Sequence, residues 1–119
     1  MTLNEYQEKA MSTCLPSCEN DCYMLFGLVE EVGELCGKLS KAIRKGQEAT
    51  LYNDFHPTAR VESDAEFKEQ IKLEAGDVLW MLAGLCRQFG WNLEDVAHAN
   101  LEKLAARKAT DTIIDHKDH

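Results

Sequence analysis

The chain has 119 residues, a length typical of one domain with a modest hydrophobic core. Hydrophobic residues make up 45% of it and only two residues are proline, which is typical of a folded globular chain and not of a disordered one. The formal net charge of −8 argues against a protein that binds nucleic-acid polymers through a basic face. A small phosphorylated ligand remains compatible with that charge if bound cations reverse it locally.

The start of the chain and its cysteines both predict a cytoplasmic protein. The opening residues lead into a polar stretch, so no signal peptide is expected, and no apolar run approaches the ~20 residues that span a membrane. Five cysteines without a CxxC pair are typical of reduced thiols in the cytosol. The alternative is a zinc site at Cys14, Cys18 and Cys22, but Pro16 interrupts the helix that would align them.

Clear start and stop signals mark two helices in the first half of the chain. Thr2 and Glu5 have the spacing of a capping box, which predicts a first helix that ends before Pro16. A second helix is predicted over residues 21–45. Its basic last turn suits the negative end of the helix dipole, and Gly46 follows as a stop signal.

The second half of the chain predicts two more helices. Ser63 and Glu66 have the spacing of another capping box, and the helix that they open ends before Gly90. Asn92 is the expected cap of a fourth helix that runs to about residue 108. Because strand-like alternation is scarce, the predicted fold is all-α, a four-helix bundle-like domain over residues 1–110.

Two segments lie outside the predicted helices. Residues 47–62 form a connection long enough to be functional or disordered. Its aromatic residues, among them Tyr52 and Phe55, are expected either to form part of a lid or to pack on the bundle. Residues 111–119 are expected to be a frayed tail.

The second helix carries three glutamates, Glu30, Glu31 and Glu34. Since a helix turns by ~100° per residue, Glu31 and Glu34 share a face. The opposite face is a predicted apolar stripe, formed by Leu25, Leu28, Val32, Leu35, Leu39 and Ile43. On this helix alone, the glutamates are best interpreted as a solvated face, with Glu34 paired to Lys38 and further lysines beyond.

The third helix gives a different result, because Glu74 falls inside its apolar sector. That sector is formed by Phe67, Ile71, Val78, Leu82, Leu85 and Phe89, with Asp77 and Met81 at its edge. A carboxylate among apolar side chains is costly unless it is paired or bound to metal. Oxygen-only ligand sets suit hard cations, and neither acidic motif has the histidine at i+3 of helical di-iron sites. We therefore expect Mg²⁺, with Mn²⁺ as the alternative ion.

The fourth helix places Asn100, Lys103 and Arg107 on one face. A donor followed by two cations is suited to orienting a triphosphate, and the alternative is an ordinary charged surface. Trp80 lies one turn after Asp77. It is expected either to stack on a nucleotide base or to pack in the core.

Together, Glu30-Glu31-x-x-Glu34, Glu74-x-x-Asp77 and Asn100-x-x-Lys103 resemble the motifs of MazG-like nucleoside triphosphate pyrophosphohydrolases, over nearly the whole chain. The resemblance implies an all-α fold that associates into homodimers or homotetramers. It also implies Mg²⁺-dependent hydrolysis of a (deoxy)nucleoside triphosphate between its α- and β-phosphates, giving the monophosphate and pyrophosphate.

The resemblance also implies a role for each candidate residue. The implied metal ligands are Glu31, Glu34, Glu74 and Asp77, and Glu30 has a secondary catalytic role in orienting water or accepting its proton. Asn100 and Lys103 match phosphate-contacting positions, and Arg107 is a further candidate. In the mechanism we expect, carboxylate-held Mg²⁺ activates a water that attacks the α-phosphorus.

Three alternatives to this function remain. The two acidic motifs are farther apart than is usual in the family, so the chain is alternatively a phosphoribosyl-ATP or dUTP-type pyrophosphohydrolase. It is otherwise a non-catalytic helical interaction module, in which a metal ion only stabilises the core. The third alternative is a metal-binding regulator of a larger complex, although the sequence contains no partner motif.

Overall fold

The computed structural model describes residues 1–44 and 64–110, which contain helices and no strand, as predicted. The four helices are α1 (Leu3–Met11), α2 (Asp21–Arg44), α3 (Asp64–Gln88) and α4 (Leu93–Ala109), with a 3₁₀ turn at Pro16–Cys18. None of the helices in these two ranges is both long and apolar enough to cross a bilayer. The signals at Gly46 and Ser63, the connection over residues 47–62 and the tail over residues 111–119 lie outside the described residues.

The helix caps lie where the sequence predicts them. The backbone N–H of Glu5 donates to Thr2 Oγ1 at 3.0 Å, and the N–H of Thr2 donates to Glu5 Oε1 at 3.1 Å, which completes the capping box. Asn92 Oδ1 accepts a hydrogen bond from the N–H of Asp95 at 2.9 Å. Gly90 follows α3 with a φ of 77°, a backbone conformation that residues with a Cβ rarely adopt.

Reciprocal contacts between glycines and methionines align α2 with α3. Met81 of α3 lies against Gly27 of α2, where an added Cβ would be 2.5 Å from the methionine Sδ. Met24 of α2 lies against Gly84 of α3 in the same way. Residue numbers therefore rise along α2 as they fall along α3, and the two helices are antiparallel.

The hydrophobic core lies where α1 meets this helix pair and the start of α4. Its buried side chains are Met11, Met24, Met81, Ala83, Cys86 and Leu93. Gln7 is buried beside them and makes three hydrogen bonds. Its Nε2 donates to the carbonyls of Ala83 and Trp91, both at 3.1 Å, and its Oε1 accepts from the N–H of Leu93 at 3.1 Å. These bonds connect α1 to α3, to the turn that follows α3 and to the first residue of α4.

The buried face of α2 differs from the predicted apolar stripe. Three residues of that stripe are exposed: Leu25, Val32 and Ile43. Met24 and Ala42 are buried in their place. The close approach of Met81 to Gly27 brings the side of α2 that carries Met24 and Glu31 toward α3. The contact face is therefore rotated toward Glu31, and the prediction that this glutamate lies opposite the buried face is wrong.

The prediction for α3 is mostly confirmed. Phe67 is buried, and the Glu74 side chain is only 14% exposed. Met81, predicted at the edge of the apolar sector, is buried. Phe89 is exposed instead of buried, because it follows the last residue of α3 and its ring stacks on Trp91 with 5.0 Å between ring centroids.

Candidate metal centre

Five carboxylates converge between α2 and α3. In one group, Glu30, Glu31 and Glu34 each place a carboxylate oxygen within 4.8 Å of the others. In a second group, Glu31 does the same with Glu74 and Asp77. Glu31 belongs to both groups and connects them. The structure thus brings together all five acidic residues that the sequence singles out, and we call them the acidic cluster.

Helix geometry explains this convergence. The i,i+3 spacing puts Glu31 and Glu34 on one face of α2, and Glu74 and Asp77 on one face of α3. Because the antiparallel contact places Gly27 against Met81, one further turn along α2 brings Glu31 to the level of Asp77 and Glu74. Each helix contributes a pair of carboxylates to the same gap.

Two carboxylate oxygens of the cluster are buried without a hydrogen-bond partner among the described residues. They are Glu31 Oε2 and Glu74 Oε2. A buried acceptor without a partner costs roughly 1–3 kcal/mol, and more when it is charged. Carboxylate oxygens are the ligands that Mg²⁺ and Mn²⁺ prefer. The donor set and the two unpartnered oxygens therefore fit a divalent cation.

The pKa of Glu31 reflects the same crowding. Burial raises the pKa of its carboxyl above the ordinary 4.5, and the negative charges of its neighbours raise it further. In order of effect these neighbours are Glu34, Asp77, Glu74 and Glu30. A divalent cation at Glu31 would oppose all of these contributions, because it stabilises the charged form of the carboxylate.

Lys38 supplies a cation at one side of the cluster. Its Nζ lies 3.6 Å from Glu74 Oε1, across the gap between the two helices. The sequence predicts that Lys38 pairs with Glu34 on α2. Among the described ion pairs, however, Lys38 is bound to Glu74 on α3. Its side chain is 37% exposed, so it is not part of a fully solvated face. Sequence reasoning missed this position, although Lys38 follows Glu31 by two helical turns and so shares its face.

A cavity of about 460 Å³ opens beside Glu34 and Glu74. It is lined by residues of α2 and α3 only: Glu34, Gly37, Lys38, Lys41, Ala42, Phe67, Gln70 and Glu74. Its size is within the range of about 300–1,000 Å³ that is usual for small-ligand sites. Two carboxylates and two ammonium groups thus face one space large enough for a small charged molecule.

The remaining predicted site residues lie elsewhere. Asn100 and Lys103 are exposed on α4, and Arg107 is half-buried on the same helix. None of them lines the cavity beside the acidic cluster. Trp80 is half-buried, and its indole N–H donates to the carbonyl of Ala10 at 3.1 Å and to Thr13 Oγ1 at 3.0 Å. This placement against α1 favours the packing interpretation of Trp80 over base stacking.

The chain is similar to a known protein family and to individual proteins. The family model of the MazG nucleotide pyrophosphohydrolase domain matches residues 21–110, which include α2, α3 and α4. The chain is 30% identical over 115 residues to the Gene 37 protein of Mycobacterium phage L5. This match covers 91% of this chain and 90% of that protein. It is 36% identical over 80 residues to the uncharacterized protein YvdC of Bacillus subtilis (strain 168), covering 67% of this chain and 68% of that protein. No solved structure matches the chain.

Proposed function

Because the chain belongs to the MazG nucleotide pyrophosphohydrolase family, we propose that it hydrolyses a nucleoside or deoxynucleoside triphosphate between the α- and β-phosphates. The products are the nucleoside monophosphate and pyrophosphate. The observation that carries this proposal is the acidic cluster, with the unpartnered oxygens of Glu31 and Glu74 in the part of the chain that matches the family. A triphosphate and five carboxylates repel each other, so cations must lie between them.

Mg²⁺ is the proposed cofactor, with Mn²⁺ as the alternative. Its ligands would be Glu31, Glu34, Glu74 and Asp77, whose oxygens come together in the two carboxylate groups. When bound, such an ion neutralises phosphate oxygens and lowers the pKa of a water molecule. Glu30 is exposed at the margin of the cluster, where its carboxylate can orient the attacking water or accept its proton.

The polyphosphate chain would occupy the cavity beside Glu34 and Glu74. Lys41 lines this cavity and can offset phosphate charge there. The phosphate contacts assigned to Asn100, Lys103 and Arg107 remain a prediction. They need α4 to reach the substrate, within one chain or from a second copy.

A homodimer or homotetramer is the proposed assembly. It is supported by a row of apolar side chains on α2 that faces away from α3: Leu25, Phe26, Val29 and Val32. Phe26 is 71% exposed and Val29 is 65% exposed. Burial of such surface contributes about 25 cal/mol per Å². Light scattering should therefore give the mass of at least two chains, and Val29→Asp should lower it toward one chain.

A cytoplasmic location is proposed from the thiols. All five cysteines lie in the described ranges, and none forms a disulfide. Cys86 is buried, and burial raises the pKa of its thiol, which keeps it protonated and unreactive. Unpaired thiols are typical of proteins in reducing compartments.

The decisive test is a panel of nucleotides with detection of released pyrophosphate. We expect the wild-type protein to release pyrophosphate from at least one nucleoside triphosphate when Mg²⁺ is present. Loss of a residue that only supports a metal ligand typically costs about 10–100-fold, so loss of a ligand itself in Glu74→Ala should lower kcat/KM by at least about a hundredfold. Glu69→Ala is the matched control, since Glu69 is exposed on the same helix and outside the cluster. Equal activity of the wild type and Glu74→Ala would refute the role of the cluster.

The panel also separates the alternatives. Activity confined to phosphoribosyl-ATP or to dUTP would assign the chain to one of those subfamilies. A protein that binds Mg²⁺ in calorimetry but hydrolyses none of the nucleotides would be the non-catalytic module. A protein that neither binds Mg²⁺ nor melts at a higher temperature in its presence would contradict the metal site itself.

A further inference from the structure

We propose that Lys38 is an exchangeable counter-ion of the acidic cluster. Its ammonium neutralises Glu74 while the divalent ion is absent, and it moves to a phosphate group of the substrate when that ion occupies the cluster. This inference rests on the proposed function. It assigns to Lys38 a positioning role that links metal binding to substrate binding.

The contact between Lys38 and Glu74 is suited to being broken. Its 3.6 Å separation exceeds the 2.7–3.2 Å of a well-formed hydrogen bond, so the attraction is mainly that of two opposite charges. The pair leaves Glu74 Oε2 buried and without a hydrogen-bond partner among the described residues. Lys38 therefore compensates the charge of this carboxylate without satisfying both of its oxygens, and a divalent cation can compensate it more completely.

The cavity also gives the Lys38 ammonium a second position to occupy. Lys38 lines the same cavity as Lys41, which lies one turn later on α2. A lysine ammonium ends a flexible four-carbon chain, and it has three donors that rotate freely. Since the side chain is 37% exposed, it is not locked by packing. Its Nζ can thus turn from Glu74 into the cavity without a change in the backbone of α2.

The two roles predict opposite effects on two affinities. If Lys38 stabilises the metal-free form, it competes with the metal for Glu74, and its removal should strengthen metal binding. If it then contacts phosphate, its removal should weaken binding of the polyphosphate. A residue that only supports the fold would weaken both affinities or change neither.

The test is calorimetry on the full chain with Lys38→Met. We expect the Kd for Mg²⁺ to fall about two- to fivefold, in line with a partly exposed ion pair. With Mg²⁺ saturating and inorganic triphosphate as the probe, we expect the Kd for triphosphate to rise about tenfold. Lys38→Gln, which keeps a polar side chain, should show the same two changes and replaces Lys38→Met if that variant does not fold.

Lys72→Met is the control for the loss of one positive charge near Glu74. Lys72 is exposed on α3, two residues from Glu74, and it lies outside the cavity lining and the described ion pairs. Lys72→Met should change the Kd for Mg²⁺ and the Kd for triphosphate by less than about twofold each. Unchanged or weaker Mg²⁺ binding by Lys38→Met would overturn the inference while leaving the proposed function intact. If the wild-type protein bound no Mg²⁺, the proposed function and this inference would both fail.

Discussion

The thioether of Met24 occupies the space that a Cβ on Gly84 would need. Met24 is fully buried, so it has little room to move away. This contact lies two helical turns before Glu31 on α2. The packing that aligns the two helices is therefore separate from the carboxylates that this alignment brings together.

We predict that Gly84→Ala destabilises the protein. Alanine is favoured over glycine in a helix by about 1 kcal/mol, but overpacking a core costs about 1–3 kcal/mol. The free energy of unfolding should therefore fall by up to about 2 kcal/mol in urea denaturation. Gly76→Ala is the matched control on α3, because a Cβ there meets nothing within 4 Å. It should raise the stability by about 0.5–1 kcal/mol, and a gain of the same size for Gly84→Ala would contradict the packing.

A second prediction concerns the buried hydrogen bonds of Gln7. Gln7→Leu removes both donors and the acceptor that serve Ala83, Trp91 and Leu93. Each buried group left without a partner costs about 1–3 kcal/mol, so we expect a loss of at least about 2 kcal/mol in thermal unfolding. Glu8→Leu, at the next and exposed position of α1, should change the stability by less than about 0.5 kcal/mol. Similar melting temperatures for the two variants would show that α1 is held in another way.

A third prediction follows from the raised pKa of Glu31. The folded protein holds the proton of this carboxyl at pH values where the unfolded chain, with the ordinary pKa of 4.5, has lost it. The contribution of Glu31 to stability therefore decreases as the pH rises from about 4.5 through the folded pKa, and it stays low above that value. In EDTA at pH 7, Glu31→Gln should unfold at a higher temperature than the wild type, and the difference should shrink on acidification toward pH 4.5.

Added Mg²⁺ is the control for that titration. The ion should stabilise the wild type and not Glu31→Gln, which would reverse the order of the two melting temperatures at pH 7. A stability difference that does not depend on pH between 4.5 and 7 would mean that Glu31 titrates normally.

A fourth prediction separates the two interpretations of Trp80. Trp80→Leu removes both the aromatic ring and the indole hydrogen bonds to Ala10 and Thr13, so the stability should fall by at least about 1–2 kcal/mol. The KM for purine and pyrimidine nucleotides should not change. Trp91→Leu is the control, because Trp91 is exposed and no described hydrogen bond uses its indole N–H. A higher KM with unchanged stability would instead support base stacking by Trp80.

The sequence predicts the helices well because their ends carry local signals. The capping box at Thr2 and the cap at Asn92 depend on residues within three positions, and both are confirmed. The burial of Glu74 can also be predicted from nearby residues alone, because a helical wheel of α3 places Glu74 among apolar residues. Such features need no knowledge of how the helices pack.

The position of Glu31 could not be predicted in the same way. Hydropathy places the core of α2 along a stripe that includes Val32, but the close approach of Met81 to Gly27 turns another side of the helix inward. A glycine gives no signal in a hydropathy pattern, although its missing side chain decides where a partner helix fits. The pairing of Lys38 with Glu74 was missed for the same reason, since it depends on the alignment of two helices that are distant in sequence.

The alignment of α2 and α3 by methionine and glycine has a consequence for how such chains diversify. Because the two helices find their relative position through their own contacts, the segment over residues 45–63 is not needed to set the spacing of the carboxylates. The entropic cost of lengthening such a connection grows only with the logarithm of its length. Insertions and deletions between the two acidic motifs can therefore accumulate while the four proposed metal ligands keep their positions on α2 and α3.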